Sequence, residues 1–251
     1  MSSKLPHDLL QDASYHITYR LKGSLPQGEM SRISQRRSNR RAQLEAEALD
    51  IPQAKREAFL QMGFRKIDRY YEVAIDRALH ATGKERYHLA QPGIAGAVLQ
   101  SWQWLHERRE ITLQAVCVMG NHVHVVLTMG ASEAEIPLGD LLRRHKTFTA
   151  RVANRFLDRR YQPFWEAGYF DRRVRKGNFM RAVWYVLNNP VAAGLCTDWE
   201  DWPHTWTHPE LRPMFTGRIE RAEGLPLAET ATAESRPRSR SPAPAACPRR
   251  R

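Results

Sequence analysis

Two histidines one residue apart, His122 and His124, lie in the apolar, β-branched stretch Val118-Met119-Gly120-Asn121-His122-Val123-His124-Val125-Val126-Leu127. Such a stretch reads as a strand, and on a strand alternate side chains share a face. Both imidazoles then project to one side with Cα atoms roughly 6.6 Å apart, a span that one divalent cation can bridge. Gly120 and Asn121 supply a turn or bulge signal just ahead, so the histidines open the second strand of a hairpin. Two imidazoles do not complete a cation site. Further along, Tyr185 and Asn189 stand four apart in a helix-patterned segment, which places them on one face. Tyrosine offers a phenol oxygen, and asparagine offers a neutral carbonyl oxygen able to bind a hard cation. Because Asn189 precedes Pro190, this geometry needs the helix to run to its last turn.

The elements that must position these groups follow from periodicity. Residues 15–21 alternate and read as a first strand. Residues 29–44 carry Arg32, Arg36, Arg37, Arg40 and Arg41 against Glu29 alone, which suits a solvated helix face, a mobile loop or a phosphate-contacting surface. Helical patterns run over 53–82, over 94–108 and, most strongly, over 138–156. His145 falls on the apolar face of the last of these, as a core histidine would. Residues 111–119 and 122–129 form the hairpin, and 164–175 a fourth strand. A last helix opens at Gly177 and Asn178 and stops at Pro190. Trp165, Trp199, Trp202 and Trp206 read as packing anchors.

With 29–82 set aside, the order is strand, helix, strand, strand, helix, strand, helix. That predicts an α+β chain built on a ferredoxin-like split βαβ domain, an antiparallel sheet with helices on one face. The expected organisation is one domain over 10–215 interrupted by a basic helical insert at 29–82, then a disordered Pro/Ala/Arg-rich tail over 222–251.

Across 251 residues, 39 Lys and Arg against 27 Asp and Glu give a net charge of +12, which favours a polyanionic partner. From residue 231 onward six arginines and one glutamate supply +5 of that excess, so much of it says nothing about the folded part. Residues 141–182 are more telling: twelve Lys or Arg face only Asp158, Glu166 and Asp171. Nucleic acid is therefore the expected partner. Cys117, Cys196 and Cys247 show no CxxC spacing, which argues against a zinc knuckle or a disulfide framework. No apolar signal core or membrane-length run is present, so the expectation is a reduced, cytoplasmic, nucleoid-associated protein with no membrane partner.

Three blocks in order now resemble a known family. The histidine hairpin, then Phe164-Trp165-Glu166-Ala167-Gly168-Tyr169-Phe170-Asp171, then Tyr185-Val186-Leu187-Asn188-Asn189-Pro190-Val191-Ala192-Ala193-Gly194-Leu195, look like single-tyrosine His-hydrophobe-His transposases of the insertion-sequence-200 type. The branch most similar is that of the transposases associated with repetitive extragenic palindromes. The resemblance covers 15–21 and about 92–196. It implies a ferredoxin-like domain in which His122, His124 and Asn189 hold Mg²⁺ or Mn²⁺. Tyr185 is then the nucleophile toward single-stranded or hairpin DNA, cutting and rejoining strands through a 5′-phosphotyrosine intermediate. Arg143, Arg144, Lys146, Arg151, Arg155, Arg172, Arg173 and Arg175 become candidates for backbone contacts. The family includes monomers and homodimers that exchange the tyrosine helix.

Other classes fit less well. A histidine-triad nucleotide hydrolase needs a third histidine where Val126 stands, and an RNA-recognition module needs aromatics where His122 and His124 stand. A domesticated, catalytically inert DNA binder of the same fold is the alternative.

Overall fold

The computed structural model describes residues 14–81, 87–130 and 136–216. The tail expected at 222–251 lies outside them. Five strands, β1 (Ser14–Arg20), β2 (Ile111–Val118), β3 (His122–Met129), β4 (Phe170–Arg173) and β5 (Thr205–Thr207), form one antiparallel sheet in the order β4-β1-β3-β2-β5. The first four strands in that order are the split βαβ arrangement, with β1 and β3 at the centre. The main helices are α1 (Gln27–Glu47), α2 (Gln53–His80), α3 (Pro92–Glu107), α4 (Leu138–Phe156), α5 (Phe179–Leu187) and the one-turn α6 (Asn189–Ala192).

Strand alternation divides the sheet into two chemically different faces. Val123, Val125 and Leu127 of β3, with Ile17 and Tyr19 of β1, meet Val98 and Trp102 of α3 and Leu141 and Leu142 of α4 in the main core. These two helices cover one face, as the split βαβ pattern requires. The opposite face presents Ala115, Cys117 and Val126, and there α5 lays down Val183, Val186 and Leu187. The last helix is thus a third layer across the sheet. His122 and His124 fall on this second face because their register, opposite Arg20 and Thr18, alternates with that of the core valines.

The basic run at 29–44 is helical and forms α1, which folds back along α2. Arg37 and Arg41 both pair with Asp68, at 2.7 Å and 3.4 Å, and lie over the rings of Tyr71 and Phe64. Two of the five arginines therefore hold the hairpin together. Gly63 lies where the helices touch: a Cβ there would sit 2.4 Å from Leu44 Cδ2, so the leucine tip would have to swing aside. Ile33, Tyr71, Ile75 and Leu79 form a small separate core beneath.

Two elements depart from expectation. The fourth strand is four residues long rather than spanning 164–175. Its leading part is a loop whose Glu166, Ala167 and Gly168 carbonyls accept from Lys146 Nζ, with a single bridge between Leu21 and Trp165. β5 has too short an alternating run to be read from sequence. It is fixed from outside, by pairing with β2 and by Trp202 Nε1 donating to the Val118 carbonyl.

His145 is a satisfied core histidine. Tyr19 Oη and Ser101 Oγ lie at 2.7 and 2.9 Å from its two nitrogens, and Trp102 Nε1 donates to the same tyrosine. Burial, and secondarily Lys146, drives its pKa down from 6.5 to about 3. The unfolded chain therefore binds this proton at a pH where the native one does not, so stability is full above pH 6.5 and is lost toward pH 3. His145 should contribute about 2 kcal/mol of destabilisation between pH 7 and pH 5. Urea unfolding at the two pH values checks this: His145→Gln is expected to show a smaller difference than wild type, and an equal difference would contradict it.

Candidate metal and tyrosine site

His122 and His124 are both fully enclosed. Nδ1 of His122 donates to Asn121 Oδ1 at 2.6 Å, and Nδ1 of His124 is hydrogen-bonded to Thr18 Oγ1 at 3.0 Å. Each ring is thereby oriented by one nitrogen, leaving Nε2 to face the site; both Nε2 atoms are buried without a hydrogen-bond partner among the described residues. Burial is the main cause that holds both pKa values well below 6.5, with neighbouring histidines adding to it. The rings are neutral at physiological pH. Two buried, unpartnered imidazole lone pairs side by side are costly in a protein interior unless something binds them.

The third group is Asp76, near the C-terminal end of α2. One carboxylate oxygen lies 3.8 Å from His124 Nε2, and donor atoms of Asp76, His122 and His124 all fall within 4.8 Å of one another. Burial, reinforced by Glu72, pushes the Asp76 carboxyl well above its usual pKa. A divalent cation would relieve all three strains at once, restoring the carboxylate charge and engaging both lone pairs. The residues present fit such an ion. Asp76 Oδ2 also accepts a hydrogen bond from the Tyr185 phenol. The second oxygen thus ties the nucleophile candidate to the cation cluster.

Tyr185 stands on α5, whose stripe of Ala182, Val183, Val186 and Leu187 buries one side and leaves the tyrosine edge turned to α2. Its ring lies edge-on to His124, 5.7 Å away. The helix ends at Leu187 and Asn189 opens α6, yet Asn188 keeps nearly helical angles, so Asn189 still follows one turn on. Its carbonyl oxygen accepts from His80 Nε2 at 3.0 Å, and the His80 ring lies 5.6 Å from that of His122. The structure thus brings His122, His124 and Tyr185 together. It puts Asp76 third in the cluster, with Asn189 on His80.

His16 completes the wall. It shares the face of His124, its ring stacks on that residue at 5.6 Å, and it meets the edge of Tyr185 at 5.5 Å. Burial, helped by the nearby Arg172 guanidinium, lowers its pKa to about 3.

The basic residues divide between the two faces. Arg172 is on the site side, where it donates to Glu72 at 3.1 Å. The α4 residues lie across the sheet. There Arg143 pairs with Asp140 and Arg144 with Glu110, while Lys146 braces the 166–168 loop. Arg151 and Arg155 are exposed and line a groove of about 1110 Å³, together with Arg159, Arg160 and Tyr161. Tyr161 is fully exposed. Arg173 and Arg175 are also exposed, at the β4 edge and just beyond it.

Asp76, His80 and His16 are not among the residues that the sequence alone singles out. Glu72, Asp76 and His80 recur every fourth residue along α2, a polar row beside the apolar Tyr71, Ile75 and Leu79, and that row was the available signal.

The fold and site together define a ferredoxin-like domain carrying paired strand histidines, a carboxylate and a tyrosine. Residues 78–189 match the family model of the IS200-like transposases. Among curated proteins none matches. A solved structure of a REP-associated tyrosine transposase bound to a REP hairpin is 12% identical, with 86% of this chain and 88% of that chain covered and a TM-score of 0.41. No described helix is long and apolar enough to cross a membrane.

Proposed function

We propose that residues 10–215 form a metal-dependent transesterase that cuts and rejoins single-stranded DNA near hairpins through a 5′-phosphotyrosine intermediate. The observation that carries the reading is the convergence of two buried, unpartnered imidazole nitrogens with a carboxylate that also holds the Tyr185 phenol. His122, His124 and Asp76 are the residues that would hold Mg²⁺ or Mn²⁺. The bound ion would polarise the scissile phosphate and offset charge building on its oxygens. Tyr185 Oη attacks the phosphorus, its proton passes to the carboxylate already accepting its hydrogen bond, and the 3′-oxygen leaves and takes a proton from solvent. One phosphoester is exchanged for another, so rejoining by a 3′-hydroxyl needs no external energy source.

A free phenol has a pKa near 10, so only about one in a thousand is ionised at neutral pH. An acceptor in place and a cation nearby both favour the phenolate. The exposed arginines on α4 and at the β4 edge would track the phosphate backbone, and Tyr161 offers a ring for base stacking.

The test is strand cleavage of a labelled oligonucleotide carrying a hairpin beside a single-stranded flank. Cutting in Mg²⁺ or Mn²⁺ and none with a chelator is expected. Binding without cutting under any of these conditions would establish the inert-binder reading instead.

A further inference from the structure

Two hydrogen bonds between α2 and the nucleophile helix form a ladder in register. Asp76 accepts from Tyr185, and one turn on His80 donates to Asn189. Residues four apart on α2 thus meet residues four apart across α5 and α6, side chain to side chain. A third tie joins the same turn of α2 to the histidine strand: Asn121 Nδ2 donates to the Leu79 carbonyl at 2.9 Å, while Asn121 Oδ1 fixes His122 Nδ1. Leu79 and Ile75 anchor that turn in their own apolar core.

We infer that His80 and Asp76 make α2 the positioning element of the active site, setting the Tyr185–Asn189 turn against the histidine pair. His80 is a positioning residue. It reaches Tyr185 through Asn189, whose carbonyl it points, and through the helix turn that carries the tyrosine, while its ring also lies beside that of His122. Asp76 has two separable parts, one oxygen toward the histidines and one accepting from the phenol. This rests on the proposed tyrosine chemistry for its catalytic consequence, but not for its structural one.

The test uses the full chain and two readouts. His80→Leu removes the donor to Asn189, whereas His80→Gln keeps an amide donor of similar reach. Amide hydrogen exchange without metal is expected to quicken about five- to tenfold across 185–192 in His80→Leu, with β2 and β3 unchanged, and to return toward wild type in His80→Gln. Hairpin-DNA cleavage should fall about 10- to 100-fold in His80→Leu at unchanged DNA affinity, and recover in His80→Gln. Asp76→Asn keeps an acceptor for Tyr185, so wild-type exchange at 185–192 is expected, with weakened Mn²⁺ binding by calorimetry. Unchanged exchange in His80→Leu, or a His80→Gln variant as impaired as His80→Leu, would overturn the positioning role. Rapid exchange in Asp76→Asn would overturn the division of Asp76. Wild-type chain that never cuts DNA would instead count against the tyrosine chemistry, and the exchange data would still judge the ladder.

Discussion

His122→Ala is expected to slow DNA cleavage by two to three orders of magnitude while changing DNA affinity by less than about twofold. The imidazole is enclosed, neutral and aimed into the site by Asn121, so its removal deletes one of three converging donors and nothing on the DNA-facing surface. A divalent ion contributes several kcal/mol of transition-state charge stabilisation, which sets the size of the effect. Initial-rate cleavage with gel-shift binding on the same oligonucleotide separates the two terms. His124→Ala should behave alike, because Thr18 orients its ring in the same manner. Cleavage by His122→Ala at the wild-type rate would remove the pair from the chemistry.

Tyr185→Phe should abolish cleavage outright. The substitution deletes one oxygen and keeps the ring that packs edge-on against His16 and His124, so the fold and the cation cluster are retained. Removing a partner of a buried carboxyl usually destabilises it, but Asp76 is already held toward its neutral form by burial, which limits that cost. Cleavage and DNA-binding assays with Tyr185→Phe check this: unchanged binding with no product is expected, and residual product above a few per cent would point to a different nucleophile.

Much of this site was legible locally. The β3 histidines follow from a period of two inside a β-branched run, and the helix that carries Tyr185 from an apolar stripe that Pro190 closes; the role of that tyrosine is what the resemblance implies. Both signals sit within a dozen residues and depend on no distant partner. Asp76 and His80 were not legible in the same sense. They lie 109 positions before Tyr185 and Asn189, on a helix whose apolar stripe explained it well enough as packing. Only the fold brings that turn of α2 over the strand. The basic residues are clustered in sequence but divided in space: α4 packs on the face of the sheet away from His122, while Arg172 lies on the site side. Arg144 and Lys146 turned out to be bonded to Glu110 and to loop carbonyls. Charge density in a sequence window says which residues are cationic, not which face they reach.

The central claim is that the Tyr185 phenol attacks the DNA phosphate beside this cluster, and trapping the covalent product tests it most directly. Wild-type chain incubated with a hairpin-bearing oligonucleotide and Mn²⁺ is denatured, digested with protease and nuclease, and mapped by mass spectrometry. A nucleotide phosphate is expected on the peptide containing Tyr185, linked through the tyrosine oxygen, with no such adduct in the presence of chelator or in Tyr185→Phe. Cleaved DNA whose adduct maps to another residue, or cleaved DNA with a free 5′-phosphate and no adduct at any time point, would contradict it.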